Sequence, residues 1–172
     1  MKKYILIFLL TLVHASADQV LTRDERIVAL TILGEARGEG KIGMLAVGCV
    51  IQKRALERNL TPAEVCLQPY QFSPWNAGGG KVKKESELYY LWKSPSMMYA
   101  RELARFLHRD DIVLKDVTFN ANHFCNINVK PKWGLPIGHP YLLPTVIIGR
   151  HKFYNLPFLK KGLDKSKKNV IR

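Results

Sequence analysis

The feature that most constrains the fold is an apolar helical pattern that ends abruptly in carboxylates and glycines. Thr22 and Glu25 stand in the Thr-x-x-Glu spacing of a helix capping box. Apolar side chains then recur at helical spacing as far as Gly34, and the segment 34–40 reads Gly-Glu-Ala-Arg-Gly-Glu-Gly. This pattern predicts a helix that starts after Thr22 and carries Glu35 in its last turn.

Two carboxylates in this segment are candidates for catalysis. Glu35 stands beside apolar neighbours such as Ile32 and Leu33, and burial there would raise its pKa, as a general acid requires. A surface glutamate in a glycine-rich loop explains the same residues equally well. Glu39 would follow one turn later as a second carboxylate if the helix continued. The glycines on either side of Glu39 argue against that and favour a structural or supporting role.

The first 17 residues have the pattern of an export signal. Lys2 and Lys3 precede an apolar run over residues 4–13, and Ala15-Ser16-Ala17 forms a cleavage site. The run is too short to span a bilayer, although an uncleaved anchor is the alternative. We therefore expect a signal peptide at 1–17 and a mature protein in the periplasm, outside the cell or in the cell wall.

The charge of the chain favours anionic partners. Removal of Lys2 and Lys3 lowers the formal charge from +13 to +11. Segment 158–172 contains six basic side chains and a single acidic one, Asp164. This composition predicts a disordered basic tail able to bind anionic envelope polymers. No nucleic acid is expected as a partner. The remainder, residues 18–157, is long enough for one catalytic domain with a core of its own.

Helical patterns come first in this domain and strand patterns last. Helices are predicted over 41–58, 62–67, about 85–92 and 96–109, and strands within 117–125 and 146–154. This order predicts an α+β fold: an N-terminal helical lobe that carries the catalytic glutamate, and a C-terminal lobe with a small antiparallel sheet.

The cysteines leave a disulfide open. An odd count of three means that at least one stays unpaired within the chain. Cys49 falls in an apolar helical run, where a free thiol is ordinary. Cys66 and Cys125 flank polar, aromatic motifs and are the better candidates for a bridge, which the sequence alone does not establish.

Several polar and aromatic segments lie outside the apolar stripes, and their order resembles one family. The matching pieces are Gly34 to Glu39, Gln71-Phe72-Ser73, His123-Phe124, Pro131-Lys132-Trp133 and Ile148 to Tyr154, together with the helix Gly43 to Arg54. Together they resemble the spore-cortex-lytic enzyme type of bacterial cell-wall hydrolase, over roughly residues 24–155.

The resemblance implies a lysozyme-like enzyme that holds peptidoglycan glycan strands in a cleft. It implies cleavage between N-acetylmuramic acid and N-acetylglucosamine, with Glu35 as general acid and base, by lytic transglycosylase or muramidase/glucosaminidase-type chemistry. We expect no cofactor and no metal. Candidate substrate-binding residues supply amides and hydroxyls, flat rings, or side chains at the cleft wall: Gln71, Ser73 and Asn76; Phe72, Trp75 and Trp133; His123, His151 and Tyr154. The alternative is that Phe72 and Trp133 fill the core and that the two histidines are structural.

Two other functions fit parts of the sequence. A non-catalytic wall-binding module would use only the basic charge and the aromatic side chains. A zinc-dependent wall hydrolase would draw on His123, Cys125, His139 and His151, but their spacing matches no compact ligand motif. Glu35→Gln separates a binder from a glycosidase, and a chelator separates a zinc enzyme from both.

Overall fold

A computed structural model of the protein describes residues 20–131, 133 and 139–157. The signal peptide predicted at 1–17 and the basic tail predicted at 158–172 lie outside the described residues, as does Lys132. Within the described ranges, no helix combines the length and the apolar character needed to cross a membrane.

The N-terminal part of the described chain is helical, as predicted. Its α-helices are α1 (Arg23–Ala36), α2 (Gly40–Arg58), α3 (Pro62–Leu67) and α4 (Met97–Leu107). Short 3₁₀ helices lie at Ser73–Trp75, Glu85–Lys93 and Pro140–Leu142. The helix predicted around 85–92 is therefore present, but in the tighter 3₁₀ form.

Capping boxes start α1 and α3 where the sequence places them. At α1, the backbone N–H of Glu25 donates to Thr22 Oγ1 at 3.2 Å, and the Glu25 carboxylate accepts from the Thr22 N–H at 2.7 Å. Thr61 and Glu64 repeat the same exchange at α3. Each box satisfies two backbone donors that a helix start otherwise leaves unpaired.

Helix α1 is the central element of the domain. Its residues from Ile27 to Leu33 are all buried, and it packs against α2, α3, α4 and the 3₁₀ helices Ser73–Trp75 and Glu85–Lys93. A helix that is apolar on every side is held by neighbours on every side. The last turn of α1, which carries Glu35, is therefore fixed relative to the core.

The C-terminal part contains a three-stranded antiparallel sheet. Its strands are β1 (His123–Asn126), β2 (Val146–Ile148) and β3 (His151–Tyr154), in the order β1–β3–β2. Phe153 of β3 pairs with Phe124 and Val146 and packs on Ala46 and Val50 of α2. The α+β prediction is confirmed.

The strand predicted within 117–125 begins later than expected, at His123. The Asp116 carboxylate accepts hydrogen bonds from the N–H and hydroxyl of Thr118, at 2.8 and 2.7 Å, and from the N–H of Asn120. Phe119 and Asn120 take positive φ angles of 55° and 66°. This side-chain-capped turn replaces the strand ladder at the start of the segment.

The suggested disulfide is wrong, because Cys66 and Cys125 are both free thiols. Cys66 lies in the helical core, and burial raises the pKa of its thiol to about 12. Cys125 lies half-buried on β1, with its Sγ 3.8 Å from the carbonyl oxygen of Val129. The two side chains therefore occupy different surroundings, one inside the core and one at the sheet.

Candidate active site

A pocket of about 450 Å³ opens between the end of α1 and the sheet. Its wall brings together Glu35 from α1, Ser73 and Asn76 from the loop after α3, and His151 from β3. Gln71 lies at the same wall. Residues from three separate segments of the sequence thus share one cavity.

Glu35 is half-buried at this pocket and is bound on one oxygen only. Its Oε1 accepts hydrogen bonds from the Ser73 N–H at 2.7 Å and the Ser73 hydroxyl at 3.0 Å. Among the described residues, no donor is bound to Oε2. Burial raises the pKa of Glu35, and the two Ser73 bonds and the positive charge of Arg54 offset only part of that rise. The carboxyl can therefore hold a proton at a higher pH than an exposed glutamate.

A close approach between α1 and the Ser73–Trp75 turn positions Ser73 on Glu35. A Cβ atom at Gly34 would lie 2.2 Å from Cγ of Pro74, which is too close for two non-bonded carbon atoms. Glycine at this position allows the turn to pack against the last turn of α1. The neighbouring Ser73 can then place two donors on the carboxyl of Glu35.

Arg54 is a buried cation at the same pocket, and the sequence analysis missed it. It is 4% exposed, donates from Nε to the carbonyl oxygen of Asn122 at 2.6 Å, and stacks 5.1 Å from the ring centroid of Phe72. Burial lowers the pKa of Arg54 to about 10, so it stays charged near neutrality. Its position on the stripe formed by Val47 and Val50 on α2 was the signal that could have revealed it.

Glu39 is tied to the hairpin that joins β2 and β3. Its carboxylate accepts from Nε of Arg150 at 2.8 Å and from the Arg150 N–H at 2.9 Å. Burial by itself would raise the pKa of Glu39, but the Arg150 donors and charge outweigh it, and the pKa is lowered. Gly149, at a φ of 56°, leaves room for the carboxylate, because a Cβ there would lie 2.2 Å from Oε2. This geometry suits a structural clamp.

His151 is the first residue of β3 and reaches the pocket from the side of the sheet. It is 8% exposed, and its ring lies edge-on to Phe124 with centroids 5.3 Å apart. Burial lowers its pKa, more than the nearby Glu39 carboxylate raises it, so the imidazole is neutral near pH 7. The ring can therefore offer one donor and one acceptor nitrogen to a ligand.

Three predicted substrate-binding rings are instead buried, which corrects their assignment. Trp75 is 2% exposed, and its Nε1 donates to Thr31 Oγ1 of α1 at 2.7 Å. Phe72 is 1% exposed and packs between Arg54 and the sheet. Tyr154 is 2% exposed and backs Trp133. None of the three presents a face to a sugar; they support the wall from behind.

His123 and Trp133 line a second groove rather than the Glu35 pocket. Their rings meet edge-on with centroids 5.4 Å apart. The groove and the pocket are adjacent, because Tyr70 and Gln71 line both of them. The structure thus brings Glu35, Gln71, Ser73, Asn76 and His151 together at the pocket. It places His123 and Trp133 in the second groove and the other predicted rings in the core.

The ligand set considered for zinc does not converge. Within residues 20–131, 133 and 139–157, no group of three or more His, Cys, Asp or Glu side chains is placed to hold a metal ion. His139 is occupied locally, with its Nδ1 accepting from the Tyr141 N–H at 3.3 Å.

Comparisons with known proteins agree with this architecture. A family model described as Cell Wall Hydrolase matches residues 38–154. The fold is similar to that of the catalytic domain of the Bacillus cereus SleB protein, with a TM-score of 0.52 and 22% identity over 80% of this chain and 94% of that chain. A comparison with curated proteins gives no match. The family match begins just past Glu35, so the case for that carboxyl rests on its geometry.

Proposed function

Since this chain belongs to the Cell Wall Hydrolase family and shares the fold of the SleB catalytic domain, we propose that it cleaves the glycan strands of peptidoglycan as a lytic transglycosylase. In this proposal, the scissile bond joins N-acetylmuramic acid to N-acetylglucosamine and lies over Glu35. The pocket beside the α1 terminus holds the two sugars on either side of that bond.

The observation that carries the proposal is the solitary carboxyl of the pocket. Of the described residues that line the pocket, Glu35 alone carries a carboxyl, and Glu39 is bound to Arg150. Glycosidases that use two carboxylates hold them roughly 5–9.5 Å apart around the bond. A lytic transglycosylase needs only one, because the attacking hydroxyl belongs to the substrate. The isolation of Glu35 therefore favours transglycosylation over two-carboxylate hydrolysis.

The first chemical step requires a neutral Glu35. Ser73 occupies Oε1 with two donors, which leaves Oε2 as the oxygen that carries the proton. Glu35 donates this proton to the glycosidic oxygen, the bond to the anomeric carbon of the muramic acid breaks, and N-acetylglucosamine leaves as an alcohol. The raised pKa of Glu35 keeps the acid form populated for this step.

The second step uses the carboxylate that remains. Glu35 accepts the proton of the muramic acid 6-hydroxyl, and that oxygen attacks the anomeric carbon of the same sugar. A 1,6-anhydro ring forms, and Glu35 returns to its neutral state. Ser73 and the buried charge of Arg54 stabilise the carboxylate between the two steps.

Mass spectrometry of digested peptidoglycan tests this reaction. The wild-type protein should release fragments with anhydromuramic ends, which are lighter by one water than hydrolysed ends. Glu35→Gln should release essentially none while keeping its fold. Fragments with reducing muramic acid or glucosamine ends would show that the protein hydrolyses the glycan instead. A glycan that stays intact would refute both reactions.

The same assay tests the two other functions. A non-catalytic binding module would hold the polymer, leave it intact, and bind equally well with Glu35→Gln. A zinc enzyme would lose activity on treatment with a strong chelator and regain it with zinc. The proposed enzyme should be indifferent to the chelator.

Export through residues 1–17 belongs to the same proposal, since peptidoglycan lies outside the cytoplasmic membrane. Amino-terminal sequencing of the exported protein should find Asp18 first. A mature protein that begins at Met1 would contradict cleavage.

A further inference from the structure

The groove beyond the pocket is larger than the pocket itself. It has a volume of about 920 Å³ and runs from the shared residues Tyr70 and Gln71 past the end of α2 to Trp133. A ligand bound in the pocket at Gln71 therefore lies beside this groove.

One arginine that has no ion-pair partner among the described residues lies in the groove, although the nearby Glu57 carboxylate favours its charge. Its charged residues, among those described, are Glu57 and Arg58. The Glu57 carboxylate lies 3.4 Å from Nζ of Lys53 and accepts two bonds from the Asn122 side chain. Within the described ranges, no carboxylate forms an ion pair with Arg58. His123 adds no charge, because burial lowers its pKa to about 4.

The Arg58 guanidinium is held in place from one side. Its Nη1 donates to Oε1 of Gln68 and, at 3.1 Å, to Oε1 of Gln71. Both bonds use the same nitrogen, so the N–H groups of Nε and Nη2 have no acceptor among the described residues. Two parallel N–H donors on a fixed guanidinium are the arrangement that binds a carboxylate in a bidentate manner.

We propose that this groove binds the carboxylate-bearing substituent of the muramic acid at the cleavage point, with Arg58 as the residue that contacts the carboxylate. The inference rests on the proposed function. The substituent is attached through a lactyl ether to the ring whose anomeric carbon reacts, so it must leave the pocket within the width of one sugar. The groove at Gln71 is the adjoining space, and Trp133 gives it a flat wall.

A carboxylate on this substituent has two sources, the free lactyl group and the stem peptide. Three substrates distinguish them: glycan strands with intact peptides, strands treated with an amidase so that only the lactyl carboxylate remains, and either kind with its carboxylates converted to neutral amides. The value of kcat/KM is measured on each substrate for the wild type, Arg58→Gln and Arg58→Lys. Arg109→Gln is the matched control, since it removes one exposed arginine outside the groove.

The wild type should prefer a carboxylate-bearing substrate over its amide by at least about tenfold, the size expected for a charged hydrogen bond. Arg58→Gln should abolish this preference, chiefly through KM, while it keeps activity on the neutral substrate. Arg58→Lys should keep part of the preference, and Arg109→Gln all of it. The preferred carboxylate-bearing substrate identifies the lactyl or the peptide source.

Two results would overturn the inference. One is a wild type that cleaves acid and amide substrates equally, and the other is an Arg58→Gln protein that loses activity equally on all of them. Failure of the proposed function looks different, because the wild-type protein would then cleave no substrate at all.

Discussion

Two glutamates of the same segment, four positions apart, have opposite surroundings. Glu35 lies in the last turn of α1, accepts hydrogen bonds from the neutral donors of Ser73, and lines a pocket. Glu39 precedes the next helix and is bound by the cation of Arg150. The pKa of Glu35 is raised because burial dominates, whereas the pKa of Glu39 is lowered because Arg150 dominates.

This difference shows that the type of partner decides which of two carboxylates can serve as an acid. A serine donor orients a carboxyl without supplying a full opposing charge, so the proton can stay. A guanidinium stabilises the ionised carboxylate, so the carboxyl group loses its proton at a lower pH. Glu35 is therefore suited to proton transfer, and Glu39 is suited to holding the hairpin that begins β3.

The largest expected effect is a loss of activity on peptidoglycan in Glu35→Gln that Glu39→Gln does not share. Glu35→Gln removes the proton donor and should lower kcat on peptidoglycan by about 10³-fold or more, because general acid catalysis typically contributes about 10²–10⁴-fold. Glu39→Gln should keep far more activity, since its carboxylate is not at the reacting bond. Release of soluble muropeptides measures both. Equal losses in the two variants would remove the distinction.

The packing of Pro74 on Gly34, which positions Ser73 on Glu35, can be disrupted by a substitution at Gly34. Gly34→Ala would force Pro74 away from α1, with an expected destabilisation of about 1–3 kcal/mol and a fall in activity as Ser73 moves off the carboxyl. Gly38→Ala is the control, because its Cβ would meet only the flexible tip of Arg150, at 3.3 Å. Urea unfolding and muropeptide release measure the two consequences. Identical behaviour of the two alanine variants would contradict the close approach.

The interaction between Glu39 and Arg150 should contribute to the free energy of unfolding. Glu39→Gln should lower the free energy of unfolding by about 1–2 kcal/mol at pH 7, and Arg150→Met should add little to that loss because both act on one interaction. The folded-state pKa of Glu39 is lowered, so this contribution is complete above the unfolded pKa and disappears as pH falls through the folded one. Urea unfolding of the single and double variants at pH 7 and pH 3 checks this. Additive losses would argue against a clamp.

The smallest effect has the opposite sign and belongs to Glu35. Its raised pKa means that the folded state holds a proton more tightly than the unfolded state, so stability falls as pH rises through the window above 4.5. Glu35→Gln should therefore become more stable than the wild type as pH increases from 4 to 7, by about 1.4 kcal/mol for each unit of pKa shift. Thermal unfolding across this range measures it. A constant difference would mean that Glu35 titrates normally.

The sequence predicted what local spacing controls. Both capping boxes, the boundaries of α1 and α3, and the helix-then-strand order follow from short-range patterns, and the structure confirms them. The position of Glu35 in the last turn of α1 also follows from its spacing.

The features that the sequence did not predict depend on contacts between residues far apart in the chain. Glu39 and Arg150 meet across 111 positions, which no local pattern reveals. Polar-aromatic composition made Phe72 and Trp75 candidates for sugar binding, but it cannot tell which side of a loop faces the core. Arg54 was overlooked because an arginine inside a helix is usually exposed, and the packing that buries this one involves residues far away in the sequence.

The most direct test of the account is a carbon-13 NMR titration of the glutamate side-chain carboxyls, with Glu35→Gln and Glu39→Gln used to assign the two signals. The account predicts that Glu35 titrates above the pKa of an exposed glutamate and that Glu39 titrates below it. A Glu35 signal that titrates at or below the ordinary value would contradict the central claim, because the pocket would then hold no acid for the glycosidic bond.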